Sequence, residues 1–195
     1  MRKVFLLSMT FLCIITTGIG QLQRGNVLVG GDLTNIDLNL NKGGNFSLAI
    51  QPKAAWFIRD NKALGAYFDL NLTTAKGEGT SVGYGVGALA RYYFGDRDMQ
   101  LTRHTRFFIE ANTGIEGYNP AVGDNTNGLG IGAGPGIAYF ITPNVGLEGL
   151  VKYRTIVGFG SAPSSSNLSF NFGFQIYLPR RELRSAVNDV KSSAN

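Results

Sequence analysis

Nine ionisable residues stand on the same parity of alternating segments: Asp32, Lys53, Asp69, Arg91, Glu110, Glu116, Glu148, Lys152 and Arg154. Most have glycine, asparagine or another small or polar residue two places away. Charges removed from water need partners, and five acids against four bases come close to supplying them. The nine are therefore read as a polar network inside the molecule, structural in role. The sharper alternative is a polar conduit gated by the same side chains.

Other chemistry finds little to work with. His104 is the one histidine and falls in a polar link, so the His–Ser–acid grouping of acyl-transfer enzymes has no centre around which to form. Cys13 is the one cysteine and lies in the leader. That leaves carboxylates as the main candidate metal ligands, and these are already assigned to ion pairs. Gly83-Tyr84-Gly85-Val86-Gly87-Ala88 and Gly128-Leu129-Gly130-Ile131-Gly132-Ala133 match a dinucleotide fingerprint on paper, but no helix follows either one to cradle a phosphate. No catalytic, cofactor-binding or metal residue is expected, and the chain is read as a non-enzyme.

The elements that must position the nine charges come next. Residues 1–20 read as a secretory signal: Arg2 and Lys3, an apolar stretch from Val4 to Ile15, then small residues up to Gly20, with cleavage expected after Gly20. Losing Arg2 and Lys3 lowers the net charge from +5 to +3, sixteen Lys and Arg against thirteen Asp and Glu. With no basic stripe interleaved with aromatics, nucleic acid is excluded as a partner. Residues 21–178 form the expected domain. Residues 179–195 form a tail carrying Arg180, Arg181, Arg184 and Lys191, with Leu183, Ala186, Val187 and Val190 at helical spacing.

Within the domain, period two dominates and predicts strands at 27–35, 46–59, 63–74, 81–94, 106–116, 129–141, 145–157 and 168–178. Tight links at 60–62 and 142–144 and a longer polar one at 95–105 share one side. Softer, longer loops at 37–45, 75–80, 119–128 and 158–166 share the other. That asymmetry is the pattern of outer-membrane barrels.

Face chemistry separates a membrane barrel from a soluble calyx. The last segment sets Leu168, Phe170, Phe172, Phe174, Ile176 and Leu178 against Ser169, Asn171, Gly173, Gln175 and Tyr177. One face is wholly apolar, while the other mixes glycine with charge, as a narrow lumen requires when small positions make room for large ones across it. Trp56, Phe57, Tyr92, Tyr93, Phe94, Phe107, Phe108, Tyr139, Phe140 and Tyr177 cluster near the tight-link ends and are expected to form an aromatic girdle at a lipid interface. The fold class is all-β, an eight-stranded antiparallel transmembrane up-and-down barrel. Its even strand count places both termini on the periplasmic side.

Two stretches, Gly87-Ala88-Leu89-Ala90-Arg91-Tyr92-Tyr93-Phe94 and the segment from Gly134-Pro135-Gly136-Ile137 through Thr142-Pro143-Asn144, resemble the outer-membrane β-barrel domain common in Bacteroidetes, related in architecture to OmpX-type and OmpW-type barrels. Asn171-Phe172-Gly173-Phe174-Gln175-Ile176-Tyr177-Leu178 is similar to the terminal signal read by the outer-membrane assembly machinery, although residues follow it. The resemblance implies outer-membrane lipid and that machinery as partners. The resemblance specifies fold and not activity; an eight-strand interior just wide enough for side chains points to a structural or surface-interaction role in the envelope, the alternative being a narrow channel or transporter for small, including hydrophobic, solutes.

Overall fold

The computed structural model describes residues 22–38, 45–75, 77, 79–95, 104–159 and 165–180. The expected signal segment and nearly all of the tail lie outside the described residues. Eight strands follow in order: β1 (Val27–Leu38), β2 (Asn45–Arg59), β3 (Lys62–Ala75), β4 (Gly79–Tyr93), β5 (Thr105–Asn119), β6 (Thr126–Thr142), β7 (Val145–Gly158) and β8 (Ser165–Leu178). Each pairs antiparallel with the next, and β1 closes on β8 from Val27↔Leu178 to Leu33↔Phe172. Along that stretch closure leaves neither terminal strand as a free sheet edge.

All eight expected strands are present, and several run further toward the loop side than periodicity indicated. Most of the added residues are Gly, Asn and Ser, weak strand formers that a neighbour holds in register: Glu116 opposite Gly128, Gly117 opposite Asn127, Ile156 opposite Ser165. The link after β3, expected to be long, is a correction. Pairing persists to Ala75↔Gly79, and Gly77 and Gly79 turn the chain at φ of 89° and 87°, a backbone region open to glycine.

At the opposite end, two-residue links at 60–61 and 143–144 join β2 to β3 and β6 to β7. Asn61 takes φ of 63°, and its N–H donates to the Leu22 carbonyl at 2.8 Å. Arg24 N–H donates to Asp60 Oδ1 at 2.8 Å, so this turn pins the segment ahead of β1 beneath the barrel.

Alternation, broken by register shifts between Leu33 and Asn35, Phe57 and Arg59, and Phe140 and Thr142, puts one set of side chains outward. Val86, Ile109, Ile131, Leu147, Phe170 and Phe172 are among the large apolar groups exposed there, Phe172 at 72%. A soluble monomer rarely shows so continuous an apolar wall. The inward set, including Leu28, Lys53, Arg91, Glu110 and Tyr177, is buried.

Candidate functional site

The lumen is built in three layers. The first, at the tight-link end, is aromatic and corrects the girdle expectation. Of the ten residues assigned to a lipid-facing belt, Phe57, Tyr93, Phe108, Phe140 and Tyr177 point inward and are at most 7% exposed. Trp56, Tyr92 and Tyr139 are exposed on the outer wall. The aromatics come as neighbouring pairs, and period two sends one of each pair in and the other out. Inside, Tyr93 lies 5.5 Å from Phe108 and 5.9 Å from Phe57, and Phe140 lies 5.0 Å from Tyr177, centroid to centroid. Leu22, from the segment ahead of β1, joins this apolar cluster.

The second layer is charged. Glu110 on β5 is its hub, accepting from Lys53 Nζ at 3.0 Å, Lys152 Nζ at 2.6 Å and Arg91 Nη2 at 2.5 Å. Arg91 Nη1 also reaches both oxygens of Glu148 at 2.8 Å, and Lys53 reaches Asp32 at 2.6 Å. The guanidinium of Arg91 lies 4.1 Å from the Phe108 ring centre, which ties the charged layer to the aromatic one. Tyr177 OH donates to Glu148 Oε1 at 2.6 Å and shares a 2.9 Å hydrogen bond with Tyr93 OH. The side chains of these six ions are at most 2% exposed.

The third layer faces the longer loops. Arg154 pairs with Asp69 and holds Glu116 Oε1 at 3.8 Å. Gln51 links this layer to the second, donating to Asp69 at 2.9 Å and accepting from Lys152 at 3.1 Å. A cleft of about 310 Å³ opens here, lined by Asp69, Asn71, Glu116, Tyr118, Arg154 and Asn167 among others.

The structure thus brings all nine sequence-singled charges into one lumen, six in the middle layer and Asp69, Glu116 and Arg154 in the outer one. Sequence reasoning left out Gln51 and Tyr67, which share the parity of Lys53 and Asp69 and could have been found from it. Tyr67 OH donates to Glu116 Oε1 at 3.0 Å. Gln175, read as inward, donates to Asp32 Oδ1 at 3.1 Å. His104 lies at the surface before β5, where its carbonyl accepts from Phe140 N–H at 2.8 Å.

Glycines make this density possible. A Cβ at Gly130 would strike the Glu116 carboxylate, one at Gly173 would strike Asp32 Oδ1, and one at Gly114 would press on both the Tyr67 hydroxyl and the β4 backbone. The crowding expected across a narrow barrel is therefore met position by position.

An apolar outer wall around a charged, close-packed lumen, in a closed eight-strand barrel, has the design of outer-membrane barrels. Solved structures agree on the fold. Neisserial surface protein A matches at 19% identity over 77% of this chain and 95% of that one, with a TM-score of 0.54. The N-terminal β-barrel domain of Pseudomonas aeruginosa OprF matches at 13% identity over 80% of this chain and 98% of that one, with a TM-score of 0.52. At these identities the likeness concerns the fold alone. No family model matches the sequence, and no curated protein is similar to it. The Bacteroidetes-type grouping gains no support from these comparisons.

Proposed function

We propose that the chain is a small outer-membrane barrel protein with a structural or surface-interaction role in the cell envelope, and that it is neither a pore nor an enzyme. The observation that carries this reading is the Glu110 hub with Arg91, Lys53 and Lys152, which fills the middle of the lumen with buried, mutually bonded side chains. The aromatic layer and Leu22 pack beneath it. An interior of eight strands is just wide enough for side chains, and here they occupy it.

The apolar wall supports a lipid setting, and closure of the ladder from Val27↔Leu178 to Leu33↔Phe172 supports it by pairing backbone groups that an open edge would leave bare. Both ends of the barrel lie on the tight-link side, since Val27 pairs with Leu178, which supports periplasmic termini. The end of β8, Asn171 to Leu178, is the proposed contact for the assembly machinery, and its Phe172–Leu178 form the closing seam with β1. Kinship with Bacteroidetes-type barrels rests on the 87–94 and 134–144 motifs.

The test is single-channel recording in planar bilayers with the folded barrel. The expected result is no steady conductance. Steady openings in the unaltered protein that change on Glu110→Ala or Arg91→Ala would favour the narrow conduit instead.

A further inference from the structure

Beyond the nine lumen charges, the described residues hold five more cations, Arg24, Arg59, Lys62, Arg106 and Arg180. All five lie at the tight-link end, where Asp60 is the one acid among the described residues. Two of them form a pair that alternation alone would not make. Phe57 and Ala63 stand opposite each other with both side chains buried, and the next regular step of the β2–β3 hairpin would set Ile58 against Lys62 and turn Arg59 inward. The register shift between Phe57 and Arg59 sets Arg59 opposite Lys62 instead, and both are exposed.

Like charges directly opposite on a sheet repel, and nothing in the described chain offsets this pair. Asp60, next to Arg59, accepts from the Arg24 N–H at 2.8 Å, and no described residue forms an ion pair with Arg59 or Lys62. Lys62 Nζ lies 5.5 Å from the centre of the Tyr92 ring, which fixes it on the outer wall. Immediately beside the two cations that wall is apolar: Ile58 is exposed, and Trp56 stands opposite Leu64 with both exposed.

We propose that Arg59 and Lys62 form a binding site for the phosphate of an anionic phospholipid, whose acyl chains lie along Trp56, Ile58 and Leu64. The two free oxygens of a phosphodiester suit a guanidinium fork on one side and an ammonium on the other, and their charge removes the repulsion of the pair. Long basic side chains reach from an apolar wall to headgroup level, where Trp and Tyr rings also settle. A soluble anion would use the two cations and leave the apolar groups beside them without a part, whereas an amphiphile uses both. The proposal rests on the lipid setting of the outer wall.

Trp56, the one tryptophan, stands near the pair and reports on the lipid there. The full chain is folded into phosphatidylcholine vesicles carrying a minor share of brominated phosphatidylglycerol, whose bromines quench tryptophan emission. A parallel set carries brominated phosphatidylcholine at the same share. Phosphatidylglycerol should associate more strongly than phosphatidylcholine, by roughly fivefold for each cation. R59Q/K62Q should abolish the preference. R106Q/R180Q takes the same charge from elsewhere on that end and should keep it.

Equal quenching by the two brominated lipids in the unaltered chain overturns the proposal. So does a folded R59Q/K62Q that keeps the preference, or an R106Q/R180Q that loses it to the same extent. If R59Q/K62Q does not fold, K62Q decides alone, and an unchanged preference overturns the site. Absence of quenching by either lipid overturns the lipid setting of the wall together with the site, whereas equal quenching overturns the site alone, so the two failures are distinguishable.

Discussion

Replacing Glu110 by glutamine keeps the side chain's shape and removes the charge that three cations share. Lys152 Nζ at 2.6 Å, Arg91 Nη2 at 2.5 Å and Lys53 Nζ at 3.0 Å would then face an amide, with Asp32 and Glu148 as the remaining carboxylates of that layer. Breaking one buried pair costs roughly 3–5 kcal/mol, because a charge is stranded where water cannot reach it. With three partners affected, Glu110→Gln should fall toward the upper end of that range. Lys152→Met should cost less, since Glu110 keeps two cations. Combining them removes one charge of each sign, so the double variant should lose less than the sum by about 1–3 kcal/mol. Denaturant unfolding in lipid vesicles, followed by the emission of the one tryptophan, Trp56, on the outer wall, measures all three. A Glu110→Gln cost under about 1 kcal/mol, or additivity within about 0.5 kcal/mol, would refute the idea that the hub balances the lumen.

Three further outcomes are expected. Gly114→Val should destabilise by about 1–3 kcal/mol or more, since its Cβ meets the Tyr67 hydroxyl and the β4 backbone, and an unchanged melting temperature would contradict the packing described. Tyr177→Phe strips a donor from Glu148 and a partner from Tyr93, and should cost roughly 1–3 kcal/mol by the same unfolding assay. On the outer wall, Phe172→Arg near the middle of β8 should cost roughly 2–4 kcal/mol in a bilayer, and Trp56→Arg near the tight-link end about 0–1 kcal/mol. Equal costs at the two positions would argue against the orientation of the belt.

Much of the barrel was legible because a strand's two faces are written in alternate residues. Phe170, Phe172 and Phe174 against Asn171, Gly173 and Gln175 state which side meets lipid and which meets the lumen, with no knowledge of neighbours required. The aromatic girdle was misread at Phe57, Tyr93, Phe108, Phe140 and Tyr177 because position along a strand was weighed above parity. Parity alone would have sent them inward. The short link after β3 escaped notice because a polar, glycine-containing stretch reads as loop whether or not its ends continue to pair.

Partner choice was not legible. Glu110 lies far along the chain from Lys53, and Gln175 farther still from Asp32, distances that only the stagger and closure of eight strands reduce to hydrogen-bond length. The sequence by itself determined the strands, their two faces and the residues that carry charge inward, since these depend on local backbone geometry. Which charge meets which and why the middle layer balances were decided by the tertiary structure, because barrel closure sets the height and bearing of every inward side chain at once.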